Sequence, residues 1–159
     1  MTDQERFATN PERETSASVG FYAAILTSVV TLITFVLALT AIPISGTNCP
    51  GDCISYPYLD TVAQFPRDYR WMLPAIFLLL IYVVLVVSIR GYSPERKLVF
   101  GQIGLAFAIM SATILAGTYY IQFAVVPVSL MYGETEGIAL LTQYNPHGLF
   151  IALEELGYL

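Results

Sequence analysis

Two sets of residues have the chemical types and the spacing that a functional site needs, and the first is a cysteine pair. Cys49 and Cys53 lie four residues apart around a Pro-Gly turn. Outside the reducing cytosol, such a pair favours a structural disulfide, and redox exchange by the two thiols is the alternative. A thiolate metal site needs about four ligands, and only Asp52 and Asp60 lie nearby. We therefore predict a disulfide and no metal site.

The second set combines the single histidine with acids near the end of the sequence. His147 and Glu154 are seven residues apart, so a continuous helix would place them on one face, with Tyr158 one turn further. Together with Glu155, they form a candidate ion or proton site. A capped and solvated helix start is the alternative interpretation. No suitable nucleophile accompanies His147, which predicts a non-enzymatic protein without a cofactor.

The elements that must position these residues are long apolar helices. Residues 15–51, 71–89 and 98–133 carry no charge, and the chain is 56% hydrophobic but only 12% charged. About 20 apolar residues suffice to cross the hydrocarbon layer as a helix. The sequence thus predicts an all-α, multi-pass transmembrane bundle with the lipid bilayer as its partner. It contains no basic block for nucleic acid.

The predicted bundle has three full spans and a partial or truncated fourth helix. At about 21 Å, this last helix is too short to cross the membrane. Either it lies in the interface, or the sequence is a fragment of a longer protein, which is the interpretation we favour. The predicted segments are a polar tail at 1–17, helices at 18–44, 71–89 and 98–126, connections at 45–70, 90–97 and 127–145, and the partial helix at 146–159.

The orientation follows from the positive residues, which are retained on the cytoplasmic side near helix ends. Arg90, Arg96 and Lys97 lie in the second connection, where Ser93 is the predicted N-cap of the third helix. The tail adds further arginines. We therefore expect a cytoplasmic N-terminus in a plasma or inner membrane, with the cysteines outside.

Small residues predict how the helices pack. Two seams lack almost all bulky side chains, which allows close approach between helices. The first contains Gly20, Ala24, Thr27, Thr31, Thr34 and Ala38, and the second contains Gly101, Gly104, Ala108 and Ser111. We predict that helices one and three pack along these seams, within one chain or between chains, while the bulky second helix lies at the periphery. A polar permeation path along the threonines is the alternative.

Three functions remain open from the sequence. The leading hypothesis is a structural, accessory or subunit protein that associates with itself or with another membrane subunit through its small-residue faces. The first alternative is a transporter or channel component that uses Glu154 and Glu155 in an incomplete fourth span. The second alternative is a thiol-exchange protein of the outer face that uses Cys49 and Cys53.

Overall fold

The fold is helical, and three of its helices are long and apolar enough to span a membrane. The computed structural model describes residues 11–41, 49, 51 and 53–159, and these residues contain no strand. The all-α prediction, with three such helices and a shorter fourth one, is confirmed. The α-helices are α1 (Pro11–Ala38), α2 (Met72–Tyr92), α3 (Leu98–Ala124), α4 (Val126–Met131), α5 (Ile138–Leu141) and α6 (Leu149–Tyr158).

Helix α1 starts earlier and ends earlier than the predicted segment 18–44. It begins at Pro11, a residue that suits the first turn because it has no N–H to satisfy. Glu12 and Glu14 lie in that turn, near the positive end of the helix dipole. Residues 11–17 are therefore helical and not part of a loose tail, and the rest of the predicted tail, residues 1–10, lies outside the described residues.

The connection between α2 and α3 differs from the prediction at its serine. Ser93 is the C-cap of α2, because its backbone is extended and the following Pro94 disfavours helical geometry at the residue before it. Pro94 then leads into a short 3₁₀ helix, Glu95–Lys97, which continues into α3 at Leu98. The prediction of Ser93 as an N-cap is wrong, whereas the predicted start of the third span at residue 98 agrees with α3.

Helix α2 lies between α1 and α3, so its predicted peripheral position is wrong. Along α1, Gly20 contacts Ser88, and a Cβ built on Gly20 would lie 3.1 Å from the Ser88 Cβ. Along α3, Gly101 has the same close approach to the Arg90 side chain. The small seams of α1 and α3 therefore both face α2 in part and do not pack on each other within the described chain.

Complementary side-chain volumes explain why α2 lies between α1 and α3. A small-residue face needs large side chains opposite it to fill the space between two helix backbones. Ile81 packs against Ala23 and Val30 of α1, and Leu78 and Leu85 border the same cluster. The bulk of α2 thus packs on Ala23 and Val30, which lie beside the predicted seam of α1, and this bulk does not mark a face that meets only lipid.

The two ends of the bundle have different structures. We call the end formed by residues 53–71 and 125–148 the cysteine end, and the end formed by residues 11–16 and 90–97 the arginine end. At the cysteine end, two 3₁₀ helices, Leu59–Gln64 and Arg67–Tyr69, precede α2. The core there contains Ile54, Tyr58, Tyr69, Met72, Ala75, Leu115, Tyr119, Tyr144 and Phe150. The connection 53–71 therefore packs on the end of the bundle, and we call it the cap.

Helix α6 covers only half of α3. The helix of the third span is interrupted between Val125 and Pro127. The chain then forms α4 and α5, and α6 returns antiparallel to α3. Ser111 lies at the middle of α3, and its Oγ donates a hydrogen bond to the Gly157 carbonyl near the end of α6. With 10 residues, α6 is about 15 Å long, so it reaches about half the depth of the bundle.

Candidate functional site

The predicted small-residue seam of α1 is divided between two environments. Gly20, Thr27 and Thr34 are partly buried, whereas Ala24 and Thr31 are exposed. Ala38 is partly buried at the end of the helix. Four of the six seam residues are therefore partly covered, and the other two, Ala24 and Thr31, remain exposed small side chains.

The seam of α3 is divided in a similar way. Ala108 is 4% exposed, and Ser111 contacts α6. In contrast, Gly104 is exposed, and a Cβ built on it would meet no atom within 4 Å among the described residues. The structure therefore joins the two seams through α2 and α6, and it leaves open space beside Gly104.

A groove of about 370 Å³ lies between α1 and α3, above α2. Threonines of α1 form one wall, Ser111 and Tyr119 form the other, and Gly157 and Tyr158 close it. The remaining lining residues are Leu115 of α3 and, on the α2 side, Trp71, Ala75, Leu78, Leu79 and Tyr82. Small and hydroxyl side chains thus line a cleft that separates the two predicted seams.

The threonines give this groove unsatisfied hydrogen-bonding groups. Thr31 Oγ1 donates to the Thr27 carbonyl at 2.7 Å. Within the described part of the chain, the buried Oγ1 atoms of Thr27 and Thr34 have no hydrogen-bond partner. A buried hydroxyl without a partner costs about 1–3 kcal/mol. A ligand or another helix in the groove would gain these hydrogen bonds only after the threonine side chains rotate toward it.

Beside the groove, Tyr119 connects two residues of α6. Its hydroxyl donates to Glu154 Oε1 at 2.9 Å and lies 2.9 Å from the Tyr158 hydroxyl. Because the Tyr119 proton is used toward Glu154, Tyr158 is the donor in the second bond. Tyr119 is 2% exposed and packs its ring against Trp71, with 5.1 Å between the ring centroids. The Tyr119, Glu154 and Tyr158 side chains are thus joined by a continuous series of hydrogen bonds, and Trp71 packs beside them.

The structure separates the other two residues of the predicted ion or proton site from this cluster. His147 is exposed and precedes α6, which begins at Leu149, so the continuous helix that would align His147 with Glu154 is not formed. Glu155 is also exposed. Of the predicted acids, Glu154 is the one that contacts the buried tyrosine.

A second polar cluster lies at the cysteine end, and the sequence did not predict it. Asp68 is fully buried, with its Oδ1 accepting from Arg67 Nε at 2.6 Å and its Oδ2 accepting from the Tyr144 hydroxyl at 2.7 Å. Burial, aided by the hydrogen bond to Asp68, raises the pKa of Tyr144 well above its usual range. The Tyr144 hydroxyl therefore stays protonated and remains a donor.

Hydrogen bonds in and beside this cluster hold the cap against the bundle. Gln122 of α3 accepts a hydrogen bond from the Gln143 backbone at 2.8 Å and donates one to the Leu141 carbonyl. Asp68 and Tyr144 are 76 positions apart in the sequence. No local pattern could have indicated their contact, although an acid between two arginines was visible in the sequence.

The two cysteines are close together. The Cα atoms of Cys49 and Cys53 lie 6.3 Å apart, which is within the range that a disulfide spans. Both side chains are partly exposed. The spacing is therefore compatible with the predicted disulfide.

Comparison with known proteins adds no functional assignment. No protein-family model, curated protein or solved structure matches the chain. The function is therefore inferred from the groove, the two polar clusters and the exposed helix faces.

Proposed function

We propose that this protein is a small, non-enzymatic subunit or accessory protein of a membrane, and that it associates through small-residue helix faces. The three apolar helices are compatible with a membrane protein. The observation that supports association is the exposed small face of α1, formed by Ala17, Ala24, Ser28 and Thr31. This face borders the groove that holds Thr27 and Thr34.

The packing of α1 within one chain supports this proposal. Of its 28 residues, only Ala23 and Val30 are buried, so α2 covers a narrow stripe of the helix. In lipid, hydrophobic attraction between helices is weak, and close backbone contact along small residues drives their association. A helix that keeps small residues exposed beside its occupied stripe therefore retains the surface that a second helix would use.

The proposed partner is α1 of a second copy of the chain. Ala24 and Ser28 are four residues apart, which is the small-xxx-small spacing of close helix crossings. Ala17 and Thr31 extend the same face in both directions. A two-fold axis would bring this face onto its own copy, as in most homodimers. A different membrane subunit on this face would be a separate outcome of the test.

A larger side chain on the exposed face tests this association. We expect Ala24→Leu and Thr31→Leu to convert a dimer to a monomer, with at least a tenfold loss of affinity, because leucine prevents close backbone approach. The mass of the purified protein in detergent and energy transfer between labelled copies in vesicles would measure this change. Val36→Leu is the matched control, since Val36 is 60% exposed on another face.

The outcome that contradicts the proposal is also clear. A wild-type protein that is monomeric in both assays, with both leucine variants behaving identically, would overturn self-association. Weaker association in Val36→Leu of the same size would show that the effect is not specific to the small face.

The proposed orientation places the arginine end in the cytoplasm of a plasma or inner membrane. Arg13 Nη2 donates to the Tyr92 carbonyl at 2.9 Å, so the tail and the 90–97 connection lie at the same end. Positive residues favour the cytoplasmic side, and labelling of this connection by an impermeant reagent in intact cells would contradict the orientation. Cys49 and Cys53 would then be outside, where a disulfide is stable.

A second candidate function, ion or proton transport, is favoured by the cluster of Tyr119, Glu154 and Tyr158. An acid held beside a groove at membrane depth is a functional candidate, because burying such a group is costly. We expect Glu154→Gln to lower proton or cation flux into proteoliposomes at least tenfold if this function is present. Glu155→Gln is the control, because Glu155 is exposed. Equal flux in both variants and in the wild type would remove this candidate.

A further inference from the structure

A second cavity lies at the arginine end and is separate from the groove described above. It has a volume of about 500 Å³ and lies between α1, α2 and the connection that follows α2. Its polar lining residues are Arg13, Ser16, Ser88, Tyr92, Ser93 and Lys97, and the others are Ala17, Gly20, Phe21, Leu85, Ile89 and Pro94. The cavity is therefore cationic at one end and apolar along its length.

Arg13 is held in place inside this cavity. Its guanidinium lies 5.4 Å from the centre of the Tyr92 ring, and Nη2 donates to the Tyr92 carbonyl. These contacts fix the planar group, which binds phosphate through paired N–H donors. Among the described residues, Arg13 Nε is buried without a hydrogen-bond partner. This buried atom lies out of a ligand's reach, and the Nη1 donors, which are not used in the contact with Tyr92, remain for an anionic ligand.

Lys97 supplies the second positive charge, and no acid opposes it in the cavity lining. In the described ranges, the ion pair present joins Arg67 to Asp68 at the cysteine end. Neither cation of the cavity takes part in it. Two positive groups on different elements, without a lining carboxylate, form a site for an anion.

The hydrogen bonds of two serines limit which side chains of the cavity can donate to a ligand. Ser88 and Ser93 donate to the carbonyls of Val84 and Ile89 at 2.9 and 2.8 Å, so their protons are already used. The N–H groups of Arg13 and Lys97 are therefore the charged donors for the anion, and Ser16, the third serine of the lining, adds a hydroxyl group. The apolar residues Phe21 and Leu85 continue the cavity away from these charges and suit a hydrocarbon chain.

We propose that this cavity binds the phosphate headgroup of an anionic phospholipid, with an acyl chain along the α1–α2 surface. The shared chemistry is a phosphate oxyanion between Arg13 and Lys97. The apolar half of the cavity favours a lipid over a soluble phosphate compound, because the latter would leave Phe21 and Leu85 uncovered. This inference does not depend on association between copies.

The test measures lipid binding to the purified full-length chain. Phosphatidylglycerol and phosphatidylcholine are titrated separately in detergent, and the bound lipid is counted by native mass spectrometry. We expect preferential binding of phosphatidylglycerol, and a loss of about fivefold in affinity for each charge removed by Arg13→Gln or Lys97→Gln. Arg13→Lys retains the charge but loses the paired N–H donors, so it is expected to bind more weakly than the wild type and more tightly than Arg13→Gln.

Arg96→Gln is the matched control, because it removes the same charge from the same connection but does not line the cavity. Helix content and thermal unfolding in each variant verify folding. An equal loss in Arg96→Gln, or equal binding of both lipids, would overturn the proposal. Full displacement of phosphatidylglycerol by excess inorganic phosphate would assign the site to soluble phosphate and also overturn it, whereas retained lipid binding would support it.

Discussion

Replacing Asp68 with alanine is expected to lower the free energy of unfolding by about 2–3 kcal/mol. The Tyr144 hydroxyl, in a residue that is 1% exposed, would lose its acceptor, and a buried donor without a partner is costly. The ion pair with Arg67 adds little, because the Arg67 side chain is 48% exposed and screened by water. Most of the loss therefore comes from Tyr144.

Thermal unfolding in detergent, followed by circular dichroism, would measure this effect as a drop of about 5–10 °C in Tm. Asp68→Asn retains an acceptor for Tyr144 and should lose less than half as much. Asp60→Ala is the control, since Asp60 is an exposed acid in the same cap, and its expected change is within 0.5 kcal/mol. Equal stability of the Asp68 and Asp60 variants would contradict the role of Asp68.

Gly157→Ala is expected to destabilise the contact between α3 and α6 by about 1–3 kcal/mol, although alanine is the better helix former. A Cβ at this position would lie 2.5 Å from Leu115 Cγ and 2.6 Å from Leu115 Cδ2. Leu115 is 1% exposed, so it has little space in which to move. The added methyl group must therefore push α6 away from α3 and lengthen the bond from Ser111 to the Gly157 carbonyl.

Two other glycines provide controls. Gly104 and Gly117 lie within α3, and a Cβ on either would meet no atom of the described part of the chain within 4 Å, apart from its own helix backbone. Alanine at these positions is expected to be neutral or stabilising by up to about 1 kcal/mol. The double variant Leu115→Ala with Gly157→Ala should show a favourable coupling in a double-mutant cycle. Additive losses in that cycle would show that steric conflict with Leu115 is not the cause.

The helical class could be predicted from the sequence because it follows from the length of charge-free runs. Charges are costly in hydrocarbon, so their absence over 71–89 and 98–133 marks helices almost regardless of neighbours. The end of α3 was predictable for a similar reason, since Pro127 lacks the donor that a helix interior needs.

The order of the helices could not be predicted from the same patterns. The small seams of α1 and α3 identify faces that allow close approach, but they do not identify the helix that fills them. Because small faces need large side chains opposite them, Ile81 of α2 packs on Ala23, and the two seams face the same neighbour. The side-chain sizes along one helix therefore do not indicate which neighbouring helix packs against it.

The candidate sites were predictable only where sequence neighbours create them. The proximity of Cys49 and Cys53 followed from their short spacing. The contact between Glu154 and Tyr119 depends on α6 folding back along α3, and the contact between Asp68 and Tyr144 joins the cap to the chain after α5. Such long-range contacts are set by tertiary packing, which the spacing of residues along the chain does not encode.

The hydrophobic core of the cysteine end has a consequence for assembly. Among the described residues, this core contains no side chain of α1, which instead packs with Ile81 in a separate cluster. All the contacts within this core therefore lie in the polypeptide from Ile54 onward, and α1 contributes none of them. Two separately synthesised fragments, one carrying α1 and the other everything from Ile54 onward, could then recombine in a bilayer to restore the interface of Gly20 with Ser88.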